Sequence, residues 1–317
     1  MIAARGAVRD AAREAGLEHE DTERMALLAS ELAWNVVRHG RGGWLGWRPV
    51  ERSGEPGLEI VAADRGDGIT GLREALRGRA STAGGLGVGL AGVHRLADEL
   101  DVDVRRGEGT CLRARGFAGR RGFRRREVGV FAGPAEGEAV NGDQAGFVRV
   151  HGWLSVAVID GLGHGADARR PADVALGSWL EDPTSDPPDS IARADAALIG
   201  QRGGVMAALR VHQPTGRLDF AALGNIQARV AGRTGSRRLV GRDGFLGSSG
   251  RRRSRRHPMT LDLGAGDVIV MASDGLRTGV TLEREDLVPG EHPIVLAESL
   301  VERYARGHDD VVVLVAK

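Results

Sequence analysis

Residues 153–165 read W-L-S-V-A-V-I-D-G-L-G-H-G. An apolar run ends at a carboxylate, Asp160, and breaks into alternating glycines at Gly161, Gly163 and Gly165. Such a run predicts a buried strand, and the glycines predict a sharp turn at its end. The pattern recurs: residues 268–272 run into Ser273-Asp274-Gly275, and Asp309-Asp310 precede the apolar run 311–316. Asp143 stands in Asn141-Gly142-Asp143. Further β-like runs occupy 127–131, 205–211, 218–223 and 226–230 and mostly follow one another directly, which predicts hairpins. Helices are predicted near 168–180, 191–199 and 293–305, and the Pro-rich stretch 181–190 reads as a loop. Two stacked sheets with helices outside would bury this much β-surface.

Four acidic positions, Asp143, Asp160, Asp274 and Asp309, thus sit at strand ends or turns with no arginine within two residues of the first three. Buried carboxylates without cationic partners repel one another. Divalent cations resolve that repulsion, and oxygen-only ligands suit Mg²⁺ or Mn²⁺ rather than Zn²⁺. A pair of such ions can acidify a water for in-line attack on phosphorus. The Gly161 carbonyl is a further candidate ligand. Asp-Gly is also a common turn dipeptide. His164 can donate a proton to a leaving oxygen, or only pack in the turn or hydrogen-bond a ligand. Arg202 can hold phosphate bidentately or simply be solvated. Asn225 reads as a residue of a tight turn.

The first part of the chain reads differently. Residues 21–39 predict a helix, with Met25, Leu28, Leu32 and Val36 as its apolar stripe. Glu31, Asn35 and His39 recur every fourth residue beside that stripe, so they share one face. A carboxylate one turn from an amide oxygen can order a water and a hard cation; an exposed polar face explains the spacing as well. The run 58–63 enters Asp64-Arg65-Gly66-Asp67-Gly68, where Asp64 can accept from an adenine amino group beside the bare backbone of Gly66 and Gly68. Residues 81–90 read S-T-A-G-G-L-G-V-G-L and open a helix predicted over 88–100, a setting that favours phosphate. Strands near 44–50, 102–105 and 110–115 complete a two-layer α/β sandwich.

Composition narrows the function. The 317 residues suffice for two domains. Lys+Arg 44 against Asp+Glu 43 gives a net charge of +1, so no electrostatic case arises for nucleic acid or anionic membrane partners. The longest apolar runs reach about a third of the roughly 20 residues of a membrane span. With a charged N-terminus, these features predict a cytoplasmic protein. The single cysteine, Cys111, excludes an internal disulfide and a Cys-based zinc cluster and reads as a small buried hydrophobe. The only lysine is Lys317, which removes Walker-A, Schiff-base and eukaryotic-type kinase chemistry. The arginine-dense residues 118–126 and 251–256 read as a solvated linker and loop. The units are 1–117 and 127–317, joined by 118–126, and the fold class is α+β.

E-L-A-W-N-V-V-R-H-G (31–40), D-R-G-D-G-I (64–69) and G-G-L-G-V-G-L-A-G-V (84–93) resemble the three nucleotide-binding boxes of the GHKL ATPases. The nearest likeness is to RsbT/RsbW-type serine kinases that act on STAS-domain regulators of bacterial sigma factors. The resemblance covers roughly residues 5–116. It implies Mg²⁺ on Asn35, catalytic help from Glu31, adenine on Asp64, and Gly85, Gly87 and Gly89 at the lid and phosphates. That family usually begins with an extra strand, and only about 20 residues precede the 21–39 helix here. D-G-L-G-H-G, with R-G-G-V-M (202–206), L-G-N-I-Q-A-R (223–229), M-A-S-D-G (271–275) and D-D-V-V-V (309–313), resembles the SpoIIE/RsbX branch of the PPM-type metal-dependent phosphatases. This second resemblance implies a four-layer α-β-β-α sandwich with Asp143, Asp160, Gly161, Asp274 and Asp309 as ligands of two Mn²⁺ or Mg²⁺ ions. Together they imply a serine/threonine phosphatase fused to an ATP-binding kinase-type unit, acting on phosphorylated STAS-domain partners. The alternative is an ATP-dependent partner-switching binder with little kinase activity.

Overall fold

The computed structural model describes residues 2–78, 89–119, 125–232, 235–248, 258–280, 282 and 286–317. Two compact units divide at Gly129/Val130.

The first unit contains α1 (Ile2–Glu14), α2 (His19–His39), β1 (Gly43–Arg52), β2 (Glu55–Asp64), α3 (Leu72–Arg77), α4 (Gly89–Leu96), β3 (Glu99–Arg105) and β4 (Gly109–Phe117). Its strands pair antiparallel in the order β1-β2-β4-β3. The stripe expected on α2 is real: Met25, Leu28 and Leu32 are fully buried. On β2, Leu58, Ile60 and Ala62 are buried at alternate positions. Glu59, on the opposite face, belongs to a charge lattice absent from the sequence reading. Arg115 pairs with Glu59 at 2.6 Å and with Asp101 at 2.8 Å, and Arg125 reaches Glu99 at 3.0 Å. These carboxylates hold the buried Arg115 guanidinium firmly charged.

The helix expected to reach residue 100 stops at Leu96. The Arg24 guanidinium takes the Leu96 carbonyl at 2.9 Å, and Asp98 Oδ2 accepts from the Phe117 N–H at 2.8 Å. The chain therefore turns early, and Leu100 pairs with Ala114 in β3.

The second unit contains β5 (Val128–Gly133, in which the division falls), β6 (Gln144–Val150), β7 (Trp153–Gly161), α5 (Gly165–Glu181), α6 (Pro187–Ala197), β8 (Gly204–His212), β9 (Arg217–Leu223), β10 (Gln227–Gly232), β11 (Gly235–Leu239), β12 (Met259–Asp262), β13 (Val268–Ala272), α7 (Pro293–Tyr304) and β14 (Val311–Ala316). One sheet runs β5-β14-β13-β10-β11, the other β12-β9-β8-β7-β6. Helices α5 and α6 pack on the second sheet, α7 packs on β14, and β14 meets β6 between the sheets. The result is the α-β-β-α layering expected. Trp179, Ala172 and Ala175 of α5 pack with Ala157 and Ile159 of β7 and Met206 of β8. The 181–190 stretch is a loop only in its first part. Pro187 opens α6, where a missing N–H costs nothing.

Candidate functional site

In the second unit the alternation along β7 sets the site. Ala157 and Ile159 face α5. Val156, Val158 and Asp160 therefore face the other sheet. Asp143 lies just before β6, Asp274 just after β13 and Asp309 just before β14. Glycine makes this convergence possible. A Cβ on Gly161 would strike the Ala168 carbonyl, and one on Gly275 would strike the Asp310 carbonyl.

Asp310 ties the loops together. It is buried, and its carboxylate accepts from the N–H groups of Ala135 (2.9 Å), Gly142 (2.8 Å) and Gly165 (2.6 Å). Those contacts fix the segment before Asp143, the start of α5 and the strand that follows Asp309. Asp309 Oδ1 accepts the adjacent Asp310 N–H at 3.0 Å. Ser273, fully buried, accepts the Val312 N–H at 3.0 Å and hydrogen-bonds Asp143. Asn225 Nδ2 donates to Asp274 Oδ2 at 2.7 Å. In the sequence Asn225 stands out only as a turn residue, and neither Asp310 nor Ser273 carries a signal of this role.

The carboxylates feel one another. Burial first, then Asp143 and Asp274, push the Asp160 carboxyl up to about 9. Burial, with Asp310, Asp309 and Asp274, raises Asp143 well above its ordinary range against the Ser273 hydrogen bond. Burial and Asp274 raise Asp309. Asp274 contributes to the raised Asp160 carboxyl as a neighbouring negative group. Among the described residues no three His, Cys, Asp or Glu side chains are already arranged to hold a metal ion. The donor set nonetheless fits one. Asp143 Oδ2 is buried with no hydrogen-bond partner, and the neighbouring donors are all oxygen.

At the mouth, His164 occupies the N-cap position of α5 without capping it. Its Nδ1 lies 2.7 Å from Glu138 Oε1. Arg202 sits 3.4 Å from Asp167 and is half-exposed.

In the first unit Glu31 and Asn35 are half-buried on α2, with His39 exposed one turn on. Burial raises the Glu31 carboxyl, and Arg95 of α4 pulls the other way. Asp64 ends β2, and its Oδ1 accepts the Gly66 N–H at 2.7 Å. A Cβ on Gly66 would sit 2.5 Å from the His39 carbonyl, so the D-R-G-D-G turn is pressed against the end of α2. Gly68 has φ +84. Gly89 begins α4 and is exposed. Gly85, Gly87 and the 251–256 stretch lie outside the described residues. Cys111 is half-buried on β4 rather than fully buried, and burial pushes its thiol up to about 11. Among the described residues no helix is long and apolar enough to cross a membrane.

The histidine kinase-like ATPase domain family matches residues 1–115. The serine/threonine-protein kinase RsbT of Bacillus subtilis (strain 168) is 40% identical over 114 residues, 36% of this chain and 86% of that one. A chain from a solved structure of the bacterial stressosome, a modular system adapted to control secondary messenger signalling, superposes with a TM-score of 0.55. It is 29% identical, covering 61% of this chain and 99% of its own. RsbX in complex with magnesium superposes with a TM-score of 0.54 at 21% identity, covering 61% of this chain and 94% of its own, which shows the fold. This chain belongs to the histidine kinase-like ATPase family, with an RsbT-like N-terminal domain joined to a unit of PPM-type phosphatase fold.

Proposed function

We propose that the second unit removes phosphate from phosphoserine or phosphothreonine in a regulatory protein, and that the first binds Mg-ATP as a serine-kinase-type domain. The observation that carries this reading is the Asp143 Oδ2 atom, buried with no hydrogen-bond partner among the described residues. Asp160, Asp274 and Asp309 stand near enough to act on one another's carboxyls, an arrangement that cations relieve. Asp143, Asp160, the Gly161 carbonyl, Asp274 and Asp309 would hold two Mn²⁺ or Mg²⁺ ions. When bound, such ions supply Lewis acidity and an acidified water. Asp309 is preferred to Asp310 because Asp310 already accepts three backbone N–H groups. Ser273 orients Asp143, and Asn225 orients Asp274. Arg202, near the Gly163 turn, would take phosphate oxygens in exchange for Asp167.

In the first unit Asn35 would hold Mg²⁺, and Glu31, its proton affinity raised by burial, would orient or deprotonate the attacking group. Asp64 would accept from adenine while its Oδ1 is steadied by the Gly66 N–H. Gly66 and Gly68 would lie beside the base, and Gly85, Gly87 and Gly89 would serve the phosphates. The functional domains are 1–117 and 127–317, with 118–126 as linker. The partners are phosphorylated STAS-domain proteins of a cytoplasmic stress or sigma-factor pathway; nucleic acid and membrane are not among them.

The test is phosphate release from a phosphorylated STAS-domain protein, followed by mass, with and without Mn²⁺ and ATP. Mn²⁺-dependent loss of 80 Da per site is expected from simple phosphate chemistry (about 80 Da for HPO₃). A phosphoprotein unchanged by the chain with Mn²⁺ overturns the phosphatase reading.

A further inference from the structure

Resting on the phosphatase reading, we propose that Glu138 is a positioning residue. It aims His164 so that the ring delivers a proton to the serine or threonine oxygen leaving phosphorus. Four observations meet here. His164 stands at the N-cap of α5 in extended backbone and makes no cap hydrogen bond, so its ring is turned to something else. That partner is Glu138, whose Oε1 lies 2.7 Å from Nδ1, far away in sequence. The next residue, Gly165, has φ +67, and a Cβ there would run into the Glu138 carboxylate. The Gly165 N–H is held by Asp310 at 2.6 Å, the carboxylate adjoining Asp309. The pair is thereby moored to the acidic cluster, while the His164 side chain stays 58% exposed toward an incoming protein substrate.

A hydrogen bond from Nδ1–H to Glu138 makes Nε2 the nitrogen that gains and gives the proton. As the P–O bond breaks, the serine oxygen leaves with the bond pair and takes the Nε2 proton. A water gives its oxygen to phosphorus, and its surplus proton restores the imidazolium. The products are a serine hydroxyl and inorganic phosphate.

The readout is dependence on the leaving group. With Mn²⁺ and a phosphoserine peptide, His164→Asn in the full chain should lower kcat about 100-fold, and Glu138→Gln about 10-fold. With p-nitrophenyl phosphate, whose leaving group needs no proton, both variants should stay within about threefold of the unsubstituted chain. A second readout needs no metal. The nitrogen-15 spectrum of the metal-free chain should show His164 with its proton on Nδ1, shifting toward Nε2 in Glu138→Gln. Equal losses on both substrates, unaltered rates on the peptide, or an Nε2–H tautomer in the unsubstituted chain would each overturn the proposal. An unsubstituted chain inert toward both substrates would overturn the phosphatase reading itself.

Discussion

Both units place an aspartate at a strand end before glycine, and the two aspartates meet opposite surroundings. Asp64 closes on its own chain, accepting the Gly66 N–H at 2.7 Å beside a half-open helix face. Asp160 meets Asp143, Asp274 and Asp309 from distant segments and is pushed up to about 9. A strand-end carboxylate with one local partner is a directed acceptor, suited to a base edge. The same motif beside a buried Asp143 and the half-buried Asp274 and Asp309 is suited to a cation. The chemistry lies in what converges on the residue, not in the motif.

That contrast can be broken at either end. Asp160→Asn should cut phosphate release on the order of 1,000-fold, several kcal/mol of lost ion assistance, while ATP binding persists. Loss of ATP binding in that variant would show that the sites are not separable. Conversely, Asp64→Ala should erase the thermal stabilisation by ATP, about 2.7 kcal/mol at 100 times the dissociation constant, and spare phosphate release. Retained stabilisation would remove Asp64 from the nucleotide site. Asn225→Ala, which strips Asp274 of its 2.7 Å donor, should weaken Mn²⁺ affinity about 10- to 100-fold. Unaltered affinity would mean that Asp274 is held by other contacts.

The smallest effect concerns pH. In the metal-free chain Asp160 keeps its proton to about 9, whereas an unfolded aspartate loses it near pH 3.9. The native state thus binds more protons between those values, and stability falls as pH rises through that window. Asp160→Asn should flatten the fall and, near neutral pH, add about 1 kcal/mol, or roughly 3 °C in Tm. A steeper fall in the variant would contradict the assigned burial.

The sequence exposed the long buried strands, the α2 stripe and the carboxylates, because each is a local pattern. The strands it concealed are β6, β11 and β12, each at an edge in the strand order of its sheet. Edge strands carry charge and little apolar alternation; β11 reads G-S-R-R-L. Helix α1 and the short α3 were likewise absent from the reading, as was the start of α6 inside a Pro-rich stretch. Within the site, ligand candidates stood out beside glycine, but their supports did not. Asp310 reaches Gly142 across 168 residues and Gly165 across 145, separations no local pattern encodes. Glu138 and Ser273 were hidden for the same reason. Asn225 and Asp274 each stand out in the sequence, but their pairing across 49 residues does not.

The central claim is that Asp143, Asp160, Asp274 and Asp309 form one cation site. Calorimetric titration of the full chain with Mn²⁺, in the absence of nucleotide, tests it directly. A pair of ions should bind, with proton release reflecting the raised Asp160, and Asp160→Asn should abolish most of the heat. A chain that takes up no Mn²⁺, or one whose uptake Asp160→Asn leaves intact, would contradict it.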